Sequence, residues 1–340
     1  MPDATSPAPA TGAGRKLAAL VLGLAALVTV MLCAFALPSV HSGPHEVPVG
    51  AAGPAQFTQA LEAKLGDDEW DVRVYEDADA IAAAVHDRDI TGGVALASEG
   101  IDVYVASAGG STTAAAVTTL GNTLAAQQHT EATVHDLVPF TEDDPRGSGL
   151  TAAAMPIVFG GILPVVALST LFPGRAGLRT RLLGVLLYAV AAGAAITALL
   201  QFGTGSLDGG YGVTSLGLAL GITALSGTML GLHALWGMPG FALGGAVVMF
   251  LGNPLSGLPT GPHWLPSGWA ELGQLLPPGA TGSLLRANAY FDGTGAMTPV
   301  LVLSAWVLLA LCLAALAGRR RAGRTGTPAP VTASPEEAVV

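Results

Sequence analysis

The chain has 340 residues, of which only 11% are charged and 51% are hydrophobic, with a mean hydropathy of +0.57. Globular proteins carry about 25% charged residues, so a pair of ordinary soluble domains is excluded, and so is a disordered chain. Fourteen Lys and Arg against 24 Asp and Glu exclude a nucleic-acid binder.

The few charges are unevenly placed. Between Pro38 and Leu150 stand 18 acids and 4 bases, a local net of −14, whereas the remainder holds 6 acids and 10 bases, a net of +4. This distribution reads as a mainly α membrane protein with one acidic extracytoplasmic α/β domain.

In chain order, residues 1–14 are rich in Pro, Ala, Gly, Ser and Thr and read as a disordered cytoplasmic N-terminus. A bilayer core of about 30 Å needs roughly 20 apolar residues at 1.5 Å rise each. Leu17–Leu37 meets that length without a charge, giving transmembrane helix 1 over 15–37. Arg15 and Lys16 precede it, which keeps the N-terminus inside and sends 38–149 outside. The basic start, the apolar core and Ala34-Phe35-Ala36 also fit a signal peptide with a cleavage site. The 21-residue apolar length favours an uncleaved anchor.

The outer domain alternates period-2 and period-3.6 patterns. Strands are expected at 45–49, 70–75, 93–97, 101–106 and 133–138, and helices at 54–65, 77–86 and 111–128, the order βαβαββαβ. Its densest acids, Asp67-Asp68-Glu69 and Glu142-Asp143-Asp144, lack the spacing of a calcium loop and flank predicted elements, as solvated turns do. His41, His45, His86, His129 and His135 form no zinc motif.

Five further helices follow, at about 150–172, 182–202, 213–235, 239–254 and 298–317, with an outer interfacial segment 255–297 and a disordered cytoplasmic tail 318–340. The uninterrupted part of the fifth, Gly240–Gly252, also suits a re-entrant segment. Parity favours six spans: Arg175, Arg179 and Arg181, and then Arg319, Arg320, Arg321 and Arg324, all fall inside with both termini cytoplasmic. Within the spans there is no Asp, Glu, Lys or Arg, which argues against a proton relay or an intramembrane hydrolase. His233 alone is titratable and sits near the inner end of its helix beside Trp236. A phosphate-binding loop is absent, Lys16 and Lys64 being the only lysines. The reading is a non-enzyme with no catalytic, cofactor-binding or metal-ligating residues and no cofactor. Cys33 and Cys312 fall about 15 Å apart in membrane depth by helix rise, which rules out a bridge between them. Gly217-x-x-x-Gly221, Gly227-x-x-x-Gly231 and Gly240-x-x-x-Gly244 provide small-residue spacing for helix packing, expected within one chain rather than between chains. Pro156 and Pro164 are expected to kink the second span.

One span, a large outer domain, then five spans with a semi-buried outer segment before the last: this arrangement resembles the ABC-2-type export permeases, and most closely their phage-infection-protein (Pip)-like branch. The runs Ile81–Leu96 and Ile101–Gly110 are similar to the outer domain of that branch, and Asn253–Gly257, Leu275–Gly279 and Leu285-Arg286 look like its segment before the final span. The resemblance covers residues 15–318 or so. It implies a plasma-membrane homodimer or heterodimer that moves an amphipathic or lipid-like substrate with a separate ATPase subunit. Such permeases usually meet the ATPase through an N-terminal amphipathic helix and a helical loop between spans two and three. The corresponding stretches here are the Pro/Ala-rich 1–14 and a nine-residue loop, 173–181. A receptor or envelope assembly protein, membrane-anchored with an extracytoplasmic binding domain and no ATP-driven transport, is the alternative.

The topology makes the first prediction. Cysteines introduced as Ser98→Cys or Ser267→Cys should react with an impermeant maleimide on intact cells, and Thr325→Cys only after permeabilisation. Labelling of Thr325→Cys from outside would remove one span.

Overall fold

The computed structural model describes residues 11–40, 43–65, 69–174, 177–258, 261–266 and 268–323. It is mainly helical and divides into two units, Met1–Leu137 with Met249–Gln274, and Val138–Val248 with Leu275–Val340.

The first unit begins with α1 (Thr11–Val40), whose apolar window Gly12–Cys33 is exposed on every side, as a helix solvated by lipid is. Helix thus extends over Thr11–Gly14, part of the stretch expected to be disordered; residues 1–10 lie outside those described. The elements that follow are β1 (Val47–Ala52), α2 (Ala55–Leu65), β2 (Trp70–Tyr75), α3 (Ala78–His86), β3 (Gly92–Leu96), β4 (Gly100–Val105), α4 (Ser111–Gln127) and β5 (Glu131–Asp136). The order is the expected βαβαββαβ, with β1 and β5 displaced by about two residues. They form one sheet in the order β2-β1-β3-β4-β5, parallel except for the β3–β4 hairpin.

β1 is buried along its whole length because helices cover both faces. On one face Val47, Val49 and Ala51 meet Leu61 of α2 and Val117 and Leu120 of α4. On the other, register partners Gly50 and Gly93 leave room for α3. A Cβ at Gly50 would lie 2.7 Å from Ile90 Cδ1, and one at Gly93 would lie 2.6 Å from Ile81 Cγ2. α3 itself starts where Asp77 accepts a 2.8 Å hydrogen bond from the Ala80 N–H, the standard satisfaction of an orphan helix donor. Residues 249–274 join this unit through short 3₁₀ turns at Pro254–Ser256 and Pro262–Trp264 and the short helix α9 (Trp269–Leu275). The segment 255–297, expected as one interfacial piece, is therefore divided between the two units.

The second unit holds α5 (Ser148–Leu171), α6 (Gly177–Ala198), α7 (Tyr211–Trp236), α8 (Met238–Val247), α10 (Pro277–Tyr290) and α11 (Met297–Gly323). α6 and α8 each end in a π-helical turn, at Leu199–Gly203 and Val248–Gly252. With α1, five helices among the described residues are long and apolar enough to cross a membrane; Met238–Gly252 is shorter. At 1.5 Å per residue the latter spans roughly 22 Å, against a core of about 30 Å. α5 runs unbroken through Pro156 and Pro164. α11 continues to Gly323, so the first residues of the expected disordered tail are helical, while 324–340 lie outside the described residues. α6 begins five residues before the expected span and so includes Arg179 and Arg181; buried Arg181 donates to the carbonyls of Gly177 and Gly174.

α7 is the hub, and glycines bring its neighbours onto it. Gly217 and Gly221 face α10: a Cβ at Gly217 would stand 2.9 Å from Asn288 Nδ2, and one at Gly221 would overlap Thr281. Gly227 and Gly231 face α11, with Ala310 Cβ at 3.1 Å and Leu313 Cβ at 2.7 Å from the corresponding positions. The two glycine pairs thus serve two different helices of the same chain. From α6, Gly193 approaches the backbone of Ser215 and Ala219; from α5, Gly161 lies under Leu225 and its carbonyl accepts from Ser226 Oγ at 2.8 Å.

The start of α5 is held by a carboxylate. Gly147, in the left-handed region at φ +63°, offers no side chain, and Asp144 instead accepts from the N–H groups of Ser148 at 2.8 Å and Gly149 at 2.7 Å. Burial alone would raise its pKa, but these N–H groups and the Ser206 hydroxyl hold it below the usual carboxylate value.

Two outcomes follow. Gly221→Ala should destabilise the protein by about 1–3 kcal/mol through overpacking against Thr281. Gly212→Ala should be neutral, because nothing lies within 4 Å of that position. Thermal midpoints in detergent compare them, and equal midpoints would remove the close-approach role of Gly221. Asp144→Asn should cost about 1 kcal/mol at pH 7, the usual size of a lost cap. A lowered folded-state value stabilises above the unfolded carboxylate value near 3.9, and that stabilisation is lost as pH falls through the folded value. The gap between parent and variant should therefore narrow below about pH 4; a gap constant from pH 7 to pH 3 would show that Asp144 is not the titrating cap.

Candidate functional site

Two features stand out, one in each unit. In the first, a cleft of about 590 Å³ is lined by Glu46, Pro48, Glu62, Trp70, Asp71, Val72, Arg73 and His263. It lies along β2, the edge strand of the sheet, where one row of backbone groups has no strand partner. The walls come from distant parts of the chain. Glu46 precedes β1, Glu62 projects from α2, and His263 arrives on the 3₁₀ turn that follows α8. A hydrogen bond from the His45 N–H to the His263 carbonyl (3.2 Å) and one from the Val47 N–H to the Glu69 carbonyl (3.0 Å) tie these walls together.

Glu46 holds a left-handed backbone, φ +45°, unusual for a residue with a side chain. Arg73 pairs with Asp71 Oδ2 through Nε at 2.9 Å and a second nitrogen at 2.8 Å, and donates to the Asp89 carbonyl at 2.9 Å. The His263 imidazole is held below its ordinary value by burial first and then by the positive charge of Arg88, with Glu271 pulling weakly the other way. It is neutral at pH 7. Elsewhere on the sheet, Tyr104 stacks on His135 at 5.0 Å and His135 Nε2 lies 3.3 Å from Asp102 Oδ1.

In the second unit the feature is α10. Eleven of the twelve residues from Pro277 to Asn288 are buried, among them Arg286 at 4% exposure. Its core partners are Ala224 of α7 and Leu303 of α11. Polar contacts fix its ends: Asn288 Nδ2 donates to the Val213 carbonyl (3.3 Å), Tyr290 Oη donates to the Ser206 carbonyl, and Trp306 Nε1 donates to the Leu275 carbonyl just before the helix (2.8 Å). Tyr290 also meets Phe140 edge-on at 5.7 Å.

The residues singled out by sequence end in unremarkable places. Asp67, Asp68 and His41 lie outside the described residues. Asp144 is a helix cap, and Asp143 packs beside Gly205. His233 stacks edge-on with Phe241 at 6.3 Å. Cys33 and Cys312 are free thiols. Among the described residues, no three His, Cys, Asp or Glu are grouped to hold a metal ion. The Glu46–His263 cleft had no sequence signal, because it joins positions over 200 residues apart; Arg286 falls in the Leu285-Arg286 pair set beside the segment before the final span, but nothing there marked it as buried. Comparison with protein-family models, with curated proteins and with solved structures finds no match.

Proposed function

We propose that this chain is an export-permease-like protein of the plasma membrane, with six spans and both termini cytoplasmic, which moves an amphipathic substrate with a separate ATPase subunit. The observation that carries this reading is α10. It runs antiparallel to α7, with Asn288 beside Gly217 and Thr281 beside Gly221. Gly221 is ten residues into α7, so Thr281 of α10 lies about 15 Å from the α7 N-terminus, halfway through a core of about 30 Å. With Tyr211 at the outer face, the chain dips to mid-membrane between the short helix Met238–Gly252 and the last span, then returns outward. This matches the semi-buried segment before the final span of the resemblance drawn from sequence. The absence of acids from the spans suits a cargo whose transfer does not depend on neutralising a buried cation.

A second reading has one observation in its favour. The connection between α5 and α6 runs only from Phe172 to Ala176, and Arg181 folds back onto the Gly174 carbonyl. So short a loop offers an ATPase little to grip, and favours a receptor or envelope assembly protein whose work is done by the outer unit.

Purification in mild detergent from the native membrane separates the two. The transport reading expects an ATPase subunit to co-purify, with ATP hydrolysis that Gly221→Leu abolishes by displacing α10. A chain that purifies at full yield without ATPase activity would leave the receptor reading.

A further inference from the structure

α10 is buried although its composition suits a surface. Thr281, Ser283, Arg286, Asn288 and Tyr290 give it hydroxyl, guanidinium, amide and phenol groups that water would also accept. Apolar drive alone does not keep such a helix inside, so its two ends must hold it. The beginning is a break in the chain. Leu276 is extended (φ −90°, ψ 148°), Pro277 and Pro278 have no N–H to continue a hydrogen-bonded turn, and the Trp306 indole satisfies the Leu275 carbonyl.

The far end is held by a strap, residues 138–147, which leads from β5 into α5. Asp144 of the strap accepts from the N–H groups of Ser148 and Gly149 and from the Ser206 hydroxyl, which fixes the strap to the loop between α6 and α7. Ser206 in turn accepts from Tyr290 Oη through its carbonyl. Phe140 of the strap meets the Tyr290 ring edge-on at 5.7 Å, and Gly147, at φ +63°, leaves the space that Phe140 occupies: a Cβ there would overlap the ring. All of these residues belong to the helical unit.

We propose that α10 is a flap, hinged at Leu276–Pro277 and latched at Tyr290 by the strap. Opening the latch frees the polar groups of α10 and uncovers Gly217 and Gly221 of α7, against which α10 packs when closed. Only Val138 and Pro139 stand between Phe140 and Leu137, whose N–H donates to the Val105 carbonyl at 2.8 Å. A displacement of β5 therefore reaches the latch through two residues, one of them stiffened by its ring. The flap rests on helix packing and does not depend on an ATPase partner.

Cysteine accessibility tests it, in the full-length protein in detergent carrying Cys33→Ala and Cys312→Ala. Ala287 is fully buried on α10, so Ala287→Cys reports opening; Ser283→Cys takes its place if the added sulfur lowers the thermal midpoint. With fast reclosing, reaction with a water-soluble maleimide follows the open population. Tyr290→Phe, which deletes one hydrogen bond, and Phe140→Ala, which deletes the ring against it, should each speed labelling roughly five- to tenfold. Gly161→Ala presses a methyl group into Leu225 away from the latch; it should lower the midpoint and leave the labelling rate at the parent value. All rates are compared well below every midpoint. Labelling that both latch variants leave unchanged would overturn the proposal, and so would equal acceleration by Gly161→Ala, the mark of general loosening. ATPase co-purification plays no part in this readout, so the transport reading and the latch fail separately.

Discussion

Close approach of backbones around α7 is the constraint on which the helical unit depends. In lipid, apolar side chains gain little by meeting one another, because the acyl chains outside are equally apolar. Association must come from contact area and from hydrogen bonds that lipid cannot supply. α7 meets this need with small or hydroxylic residues on the sides that carry α6, α10 and α11. Gly217 and Gly221 admit α10, Gly227 and Gly231 admit α11, and the backbone at Ser215 and Ala219 admits Gly193 of α6. Where backbones come this near, hydroxyls reach across: Ser226 to the Gly161 carbonyl, Thr228 to the Trp306 carbonyl. α1, in the other unit, has no buried residue in its apolar window.

The α/β unit reaches its packing by a different route. Its core is driven by burial of Val, Ile and Leu, and β-branched residues fill β4 and the α4 side of β1. Glycine lets a helix lie nearly on the sheet at Gly50 and Gly93 beneath α3 and at Gly121 of α4 over Val103. These glycines weaken strand propensity locally. The sheet tolerates this because β1 and β3 are internal strands, fixed by hydrogen bonds on both sides.

Periodicity made most of these elements legible. Trp70–Tyr75 alternates and is β2; Ser111–Gln127 repeats at helical spacing and is α4. β1 was displaced in expectation because Gly50-Ala51-Ala52 lacks strand-forming side chains, although tertiary burial makes it the best-protected strand. The glycine spacing in α7 was visible, yet the partners of each pair were not, since spacing names a face and never the helix that covers it. The helical pattern of Thr281–Tyr290 was visible, but the depth of its burial as α10 was not. Leu285-Arg286-Ala287-Asn288 has the polarity of a surface segment, and only its packing against Gly217 and Gly221 shows why such residues sit inside. The cleft had no signal at all, because Glu46 and His263 become neighbours through a turn that follows α8.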